Sequence, residues 1–208
     1  MLDGTKKIID SPYSTWLVLF IPAIPLLWDL VEDNRYYAEI MYETGILATQ
    51  FLVLALAITP LMRLTRSWPS GLAVMRWLQK RRRYIGVAAA GYGALHAIFY
   101  IRHTGSLELV FLELEEISLL TGWVVMVLFA ALALTSNDTS VRRLGKWWKR
   151  LQMTAYGAAL FTALHWWLID QFLDQLVMWF APLVLLQLPR LFKALMAQQA
   201  RSTSKQAG

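Results

Sequence analysis

Residues 81–100 read RRRYIGVAAAGYGALHAIFY. Three consecutive arginines stand at the edge of an apolar run that carries a single histidine, His96. The run extends over about residues 84–102, which as a helix spans about 28 Å at 1.5 Å per residue and nearly crosses the ~30 Å of bilayer hydrocarbon. An imidazole inside that layer costs a few kcal/mol unless something binds it. Two questions therefore follow from the stretch: how the rest of the chain crosses the membrane, and what lies at the depth of His96.

Composition answers the first in outline. Of 208 residues, 57% are hydrophobic and 16% charged, against about 45–50% and about 25% in soluble domains. Six apolar segments, at about 14–32, 44–62, 84–102, 118–136, 151–170 and 174–195, each approach the spanning length. The expected fold is an all-α, six-helix transmembrane bundle over residues 14–195, with tails 1–13 and 196–208. Pro22 and Pro25 are expected to kink the first segment. The N-terminal MLDGTKKIIDSPYSTW has neither the apolar core nor the cleavage site of a signal peptide and reads as a cytoplasmic tail.

The charges separate by sign. The 2–3 connection carries Arg63, Arg66, Arg76, Lys80, Arg81, Arg82 and Arg83, and the 4–5 connection Arg142, Arg143, Lys146, Lys149 and Arg150. Eleven of the fourteen acids face away from eighteen of the twenty bases, with only Arg35 and Arg102 misplaced. By the positive-inside rule both termini are cytoplasmic and the acidic loops face outward. The net charge of +6 thus reflects topology, and no nucleic-acid partner is expected. Without cysteine the chain has no disulfide, thiolate metal site or thioether-attached haem. The ten tryptophans and eight tyrosines cluster near segment ends as an interfacial belt. Residues 106–116, SLELVFLELEE, suit a short amphipathic helix on the outer interface.

His165 answers the second question. His96 lies 13 residues after Arg83 and His165 lies 15 after Arg150, on two segments that run in the same direction. Both imidazoles then sit ~20 Å above the basic boundary, in the outer half of the bilayer. Two facing imidazoles at one depth suit a six-coordinate haem b, each giving an axial nitrogen to the iron. Zinc is the weaker rival, since no cysteine or third ligand accompanies the pair. Stepping back along each helix, Gly93 and Ala89 lie below His96, and Phe161 and Gly157 below His165. These positions either leave room for a porphyrin or are close-packing positions between transmembrane helices. Arg82 and Arg83 either bind a flavin phosphate or haem propionate, or set topology and touch anionic lipid. No catalytic triad, carboxylate pair or phosphate-binding glycine loop is present.

Three stretches, TGILATQFLVLALAITPLMRL (44–64), RRRYIGVAAAGYGALHAIFY (81–100) and LTSNDTSVRRLGKWWKRLQMTAYGAALFTALHWWL (134–168), resemble the MsrQ (YedZ) family. These are the haem-binding membrane subunits of bacterial periplasmic methionine-sulfoxide reductase systems, within the ferric-reductase-like transmembrane group. The resemblance implies a multi-pass b-type cytochrome of the bacterial inner membrane. It implies electrons drawn from the quinone pool or a cytosolic flavin reductase and passed to a periplasmic molybdenum-containing reductase. The chain departs from the family where a histidine normally begins segment five, here Gln152, and before the Thr-Gly of segment two, here Tyr42. One outer haem, on His96 and His165, is therefore expected rather than two, with electrons delivered by a quinol near the outer leaflet or an FMN-type flavin seated lower. The other reading is a structural or assembly subunit of a larger membrane complex, stripped of part of its redox groups.

Overall fold

The computed structural model describes residues 10–31, 37–169 and 173–206; Lys6, Lys7, Glu32, Asp33, Arg35, Tyr36 and Asp170 lie outside them. The described residues form helices and the turns between them, with no strand.

The first apolar segment is divided. Ser11 caps α1, Pro12–Phe20, by accepting from the Tyr13 backbone N–H, with Pro12 in the first turn where its missing N–H costs nothing. Pro22 then ends the helix, and α2 covers Ala23–Val31. The expected kink is thus a full break, because Pro22 lacks the N–H that would continue the ladder.

The long helices follow. α3 is Tyr37–Leu64, a 3-10 turn covers Thr65–Ser67, and α4 is Pro69–Thr104, 36 residues. At 1.5 Å per residue α4 is about 54 Å long, so its arginine-bearing part extends past any hydrocarbon layer. It stops at Gly105, whose φ of +76° is a left-handed conformation that glycine adopts without strain. A short α5, Leu107–Leu112, and a 3-10 turn, Glu113–Glu115, form the amphipathic connection. Val110 is buried there, while Leu107 and Phe111 are exposed. α6 is Ile117–Leu134, α7 Asp138–Leu144, α8 Lys146–Met153, α9 Ala155–Ile169 and α10 Leu173–Gln206. The fifth apolar segment is broken at Thr154, whose hydroxyl donates to the Leu151 carbonyl at 2.7 Å.

Among the described residues, three helical stretches are long and apolar enough to cross a membrane, Tyr37–Ser67, Pro69–Thr104 and Ile117–Leu134, with a shorter apolar one at Leu173–Pro189. Around the bundle Val127, Leu134, Leu160 and Leu185 stay exposed, as side chains facing lipid do. The core joins α3, α4, α6, α9 and α10 through Leu52, Leu56, Ala89, Val125, Phe129, Ala158 and Phe180. Tyr92 adds a long-range tie, donating from its hydroxyl to the Leu19 carbonyl of α1 at 2.9 Å.

At the basic end Arg81 is buried, 5% exposed. Its guanidinium donates to Thr15 Oγ1 at 3.1 Å, the Trp77 carbonyl at 3.2 Å and Asp10 Oδ1 at 3.0 Å. It also stacks 3.8 Å from the Trp77 ring centre. A planar guanidinium reaches several acceptors in a fixed geometry while stacking on a ring, a combination an ammonium does not offer. The contact fastens α1 to α4.

Candidate functional site

His96 on α4 and His165 on α9 meet inside the bundle. Their ring centres are 6.3 Å apart and the planes cross at 89°. In each ring Nδ1 lies against a backbone carbonyl, Met41 O at 2.7 Å for His96 and Ser118 O at 2.8 Å for His165. A carbonyl only accepts, so Nδ1 carries the proton and Nε2 the lone pair. Histidines that bind metals are oriented in this way.

The same local device holds both rings. Thr44 Oγ1 donates to Met41 O at 2.8 Å, and Gly45 follows one turn after Met41. Thr121 Oγ1 donates to Ser118 O at 2.6 Å, and Gly122 follows one turn after Ser118. A Cβ on Gly45 would stand 2.9 Å from His96 Nδ1, and one on Gly122 2.7 Å from His165 Cε1. Both glycines exist so that an imidazole can reach a neighbouring helix's backbone. Neither glycine lies at a position that the spacing of the histidines marks. The repeated Thr-Gly pair at 44–45 and 121–122 is the signal that could have found them.

The arrangement suits one metal ion. An imidazole nitrogen lies about 1.1 Å from its ring centre and bonds a metal at about 2.0–2.1 Å. Two imidazole nitrogens that shared an ion would set the ring centres about 6 Å apart, and the observed 6.3 Å is compatible with that. No group of three or more His, Cys, Asp or Glu side chains that could hold a bare ion occurs among the described residues. Two protein ligands fit a metal whose remaining positions are filled by a macrocycle.

Both histidines line a cavity of about 460 Å³ whose wall is mostly apolar, within the size range of cofactor sites. Gly93 lines it too. Ala89 and Phe161 belong instead to the core cluster, and a Cβ on Gly157 would meet nothing within 4 Å. None of these three lines the cavity. The reason is azimuth: the cavity reaches Gly93, Thr162 and Phe129 toward the basic end, on other faces of the helices than these three residues, and it extends farther toward the acidic end. His103, Tyr100 and Glu113 line it there, and the Tyr100 hydroxyl donates to the Glu113 carboxylate.

Arg82 and Arg83 lie away from the cavity. Arg82 donates to Thr59 Oγ1 at 3.3 Å, and Arg83 pairs with Asp138 at 2.6 Å. The Arg83 guanidinium, by hydrogen bond and by charge, holds the Asp138 carboxyl below its ordinary range. Gln152 donates to Thr135 Oγ1 at 3.4 Å, bridging α8 to the end of α6. Trp148 reinforces that bridge by donating to the Thr135 carbonyl at 2.9 Å.

Residues 44–168 match the family of ferric reductase like transmembrane components. The chain is similar to the protein-methionine-sulfoxide reductase heme-binding subunit MsrQ of Xanthomonas campestris pv. campestris strain 8004, 34% identical over 166 residues. That alignment covers 78% of this chain and 72% of the relative. The MsrQ of Deinococcus radiodurans is 34% identical over 153 residues, covering 71% and 72%. The MsrQ of Brucella anthropi is 29% identical over 172 residues, covering 78% and 74%. No solved structure matches the chain. The match over residues 44–168 spans both histidines, and relatives 34% identical cover more than two thirds of the chain: the chain belongs to the MsrQ family of ferric-reductase-like transmembrane proteins.

Proposed function

We propose that this chain is a one-haem b-type cytochrome subunit of a bacterial inner membrane. In this reading it passes electrons from quinol or a cytosolic flavin reductase toward a periplasmic methionine-sulfoxide reductase. The observation that carries the reading is the pair of imidazoles 6.3 Å apart, each with Nδ1 on a helix carbonyl. The names of the relatives, heme-binding subunits of that reductase, support it. Bound haem supplies reversible one-electron iron chemistry.

The chain's own residues do the rest. His96 and His165 hold the iron from two helices. Met41 O and Ser118 O fix each ring's tautomer and orientation. The apolar wall of α3, α4, α6 and α9 excludes water, and the acidic end of the bundle, taken as periplasmic, meets the partner.

Gln152 and its bond to Thr135 favour a second reading, a structural subunit of a larger membrane complex in which a redox position has become a helix bridge. Haem content separates the two. Purified protein should give a pyridine haemochrome of one haem per chain and a reduced α-band, both lost in His96→Ala and His165→Ala. Haem-free protein that co-purifies stoichiometrically with a large complex supports the second reading and ends the first.

A further inference from the structure

We infer that His103 is the positioning residue for the haem carboxylates, so that the cofactor is seated with its propionate edge toward the acidic end of the bundle. This rests on the cytochrome reading above.

One face of α4 forms a wall of the cavity: Gly93, His96, Ala97, Tyr100, His103 and Thr104 all line it, at the three- and four-residue spacing of a single helix face. His103 therefore stands two turns, about 10 Å, beyond His96 in the direction of the acidic end. That is the scale on which a macrocycle's edge lies from its central metal.

In the opposite direction the polar lining groups are the Thr49 and Thr162 hydroxyls, which donate to the Gly45 carbonyl at 3.0 Å and the Ala158 carbonyl at 2.8 Å. Below Gly93 the space is filled, since a Cβ there would lie 2.8 Å from Phe129 Cδ2. Ala89, Val125 and Ala158 close the floor as buried core. An ionised carboxylate among such groups bears a large desolvation cost. The three consecutive arginines of α4 are engaged elsewhere, Arg81 with Asp10, Arg82 with Thr59 and Arg83 with Asp138, and no arginine lines the cavity among the described residues.

At the acidic end the rim is polar, and most of its hydroxyls are committed. Tyr100 donates to Glu113, Thr104 to the Tyr100 carbonyl at 3.0 Å, and Tyr42 to Gln175 Oε1 at 3.1 Å. The Gln175 amide and the Trp166 indole line the cavity as neutral donors, and Glu113 adds a negative charge. With His96 and His165 used as ligands, His103 is the remaining imidazole in the lining, among the described residues, and its ring N–H can donate to a carboxylate.

The test uses the purified holoprotein in nanodiscs and compares wild type, His103→Ala and His103→Gln by redox titration and resonance Raman spectroscopy. His103→Ala should keep the haem and its six-coordinate spectrum. Its midpoint potential should fall by a threefold to tenfold change in the redox equilibrium, about 30–60 mV for one electron, because an uncompensated carboxylate favours ferric iron. The propionate bending band should shift with it, and His103→Gln, which retains a donor, should recover much of both. A haem-loaded His103→Ala protein with unchanged potential and unchanged band overturns the assignment and leaves the cytochrome reading standing. Loss of six-coordination in that variant also overturns it, making His103 an iron ligand. Haem-free wild-type protein overturns both.

Discussion

Gly122 stands directly under the ring of His165, so close that a methyl group there would lie 2.7 Å from Cε1. The residue belongs to α6 and the ring to α9, and the contact fixes where the imidazole can sit. Gly122→Ala should push the ring from Ser118 O and lower haem occupancy severalfold. Gly45→Ala should do the same to His96. Gly157→Ala, with nothing within 4 Å, should leave the haem untouched and stabilise the helix by up to about 1 kcal/mol. Haemochrome content and thermal unfolding of the three variants check this.

The Ser118 carbonyl accepts from two donors, His165 Nδ1 at 2.8 Å and Thr121 Oγ1 at 2.6 Å. Removing the hydroxyl with Thr121→Val should strengthen the histidine's bond to that carbonyl and its donation to the iron. The midpoint potential should then fall, with a stability cost of about 0.5–1.5 kcal/mol. A rise in potential would mean the shared carbonyl does not tune the ligand.

Arg81 links α1 to α4 through several acceptors and a stacked ring. Arg81→Lys keeps the charge but loses the fork, and should cost about 1–3 kcal/mol. Limited proteolysis should then cut more readily around α1, while haem content stays at the wild-type value. Equal protease resistance would show that α1 is held by other contacts.

The Arg83–Asp138 pair predicts a weak acid dependence. Arg83 lowers the Asp138 carboxyl, so its contribution is present above the ordinary carboxylate range, ~3.9, and is lost as pH falls through the depressed folded-state value. Asp138→Asn should lower Tm slightly at neutral pH, and the difference should vanish in strong acid. The pair is exposed, so a large effect at neutral pH would be unexpected.

Depth was legible along the chain. Counting residues from Arg83 and Arg150 placed His96 and His165 at one level, and the rings are found in contact across the bundle. Azimuth was not. α4, α6 and α9 are apolar around much of their circumference, so hydropathy does not indicate which side faces inward. Hence Ala89, Phe161 and Gly157 were expected at the porphyrin, whereas Gly45, Gly122 and His103 stand at the rings and the cavity. The break at Pro22 was marked by the proline itself; the break at Thr154 followed from no comparable local signal.

Sequence by itself determined the membrane class, the segregation of charge to two ends and the common height of two histidines. Hydropathy, charge and helical rise are properties of one segment at a time, and they add along the chain. Only the tertiary structure decided that each imidazole leans on a carbonyl of another helix, through a gap left by a glycine. Those contacts depend on how helices rotate and pack against one another. That packing is settled by side-chain shape between distant residues, which no single segment encodes.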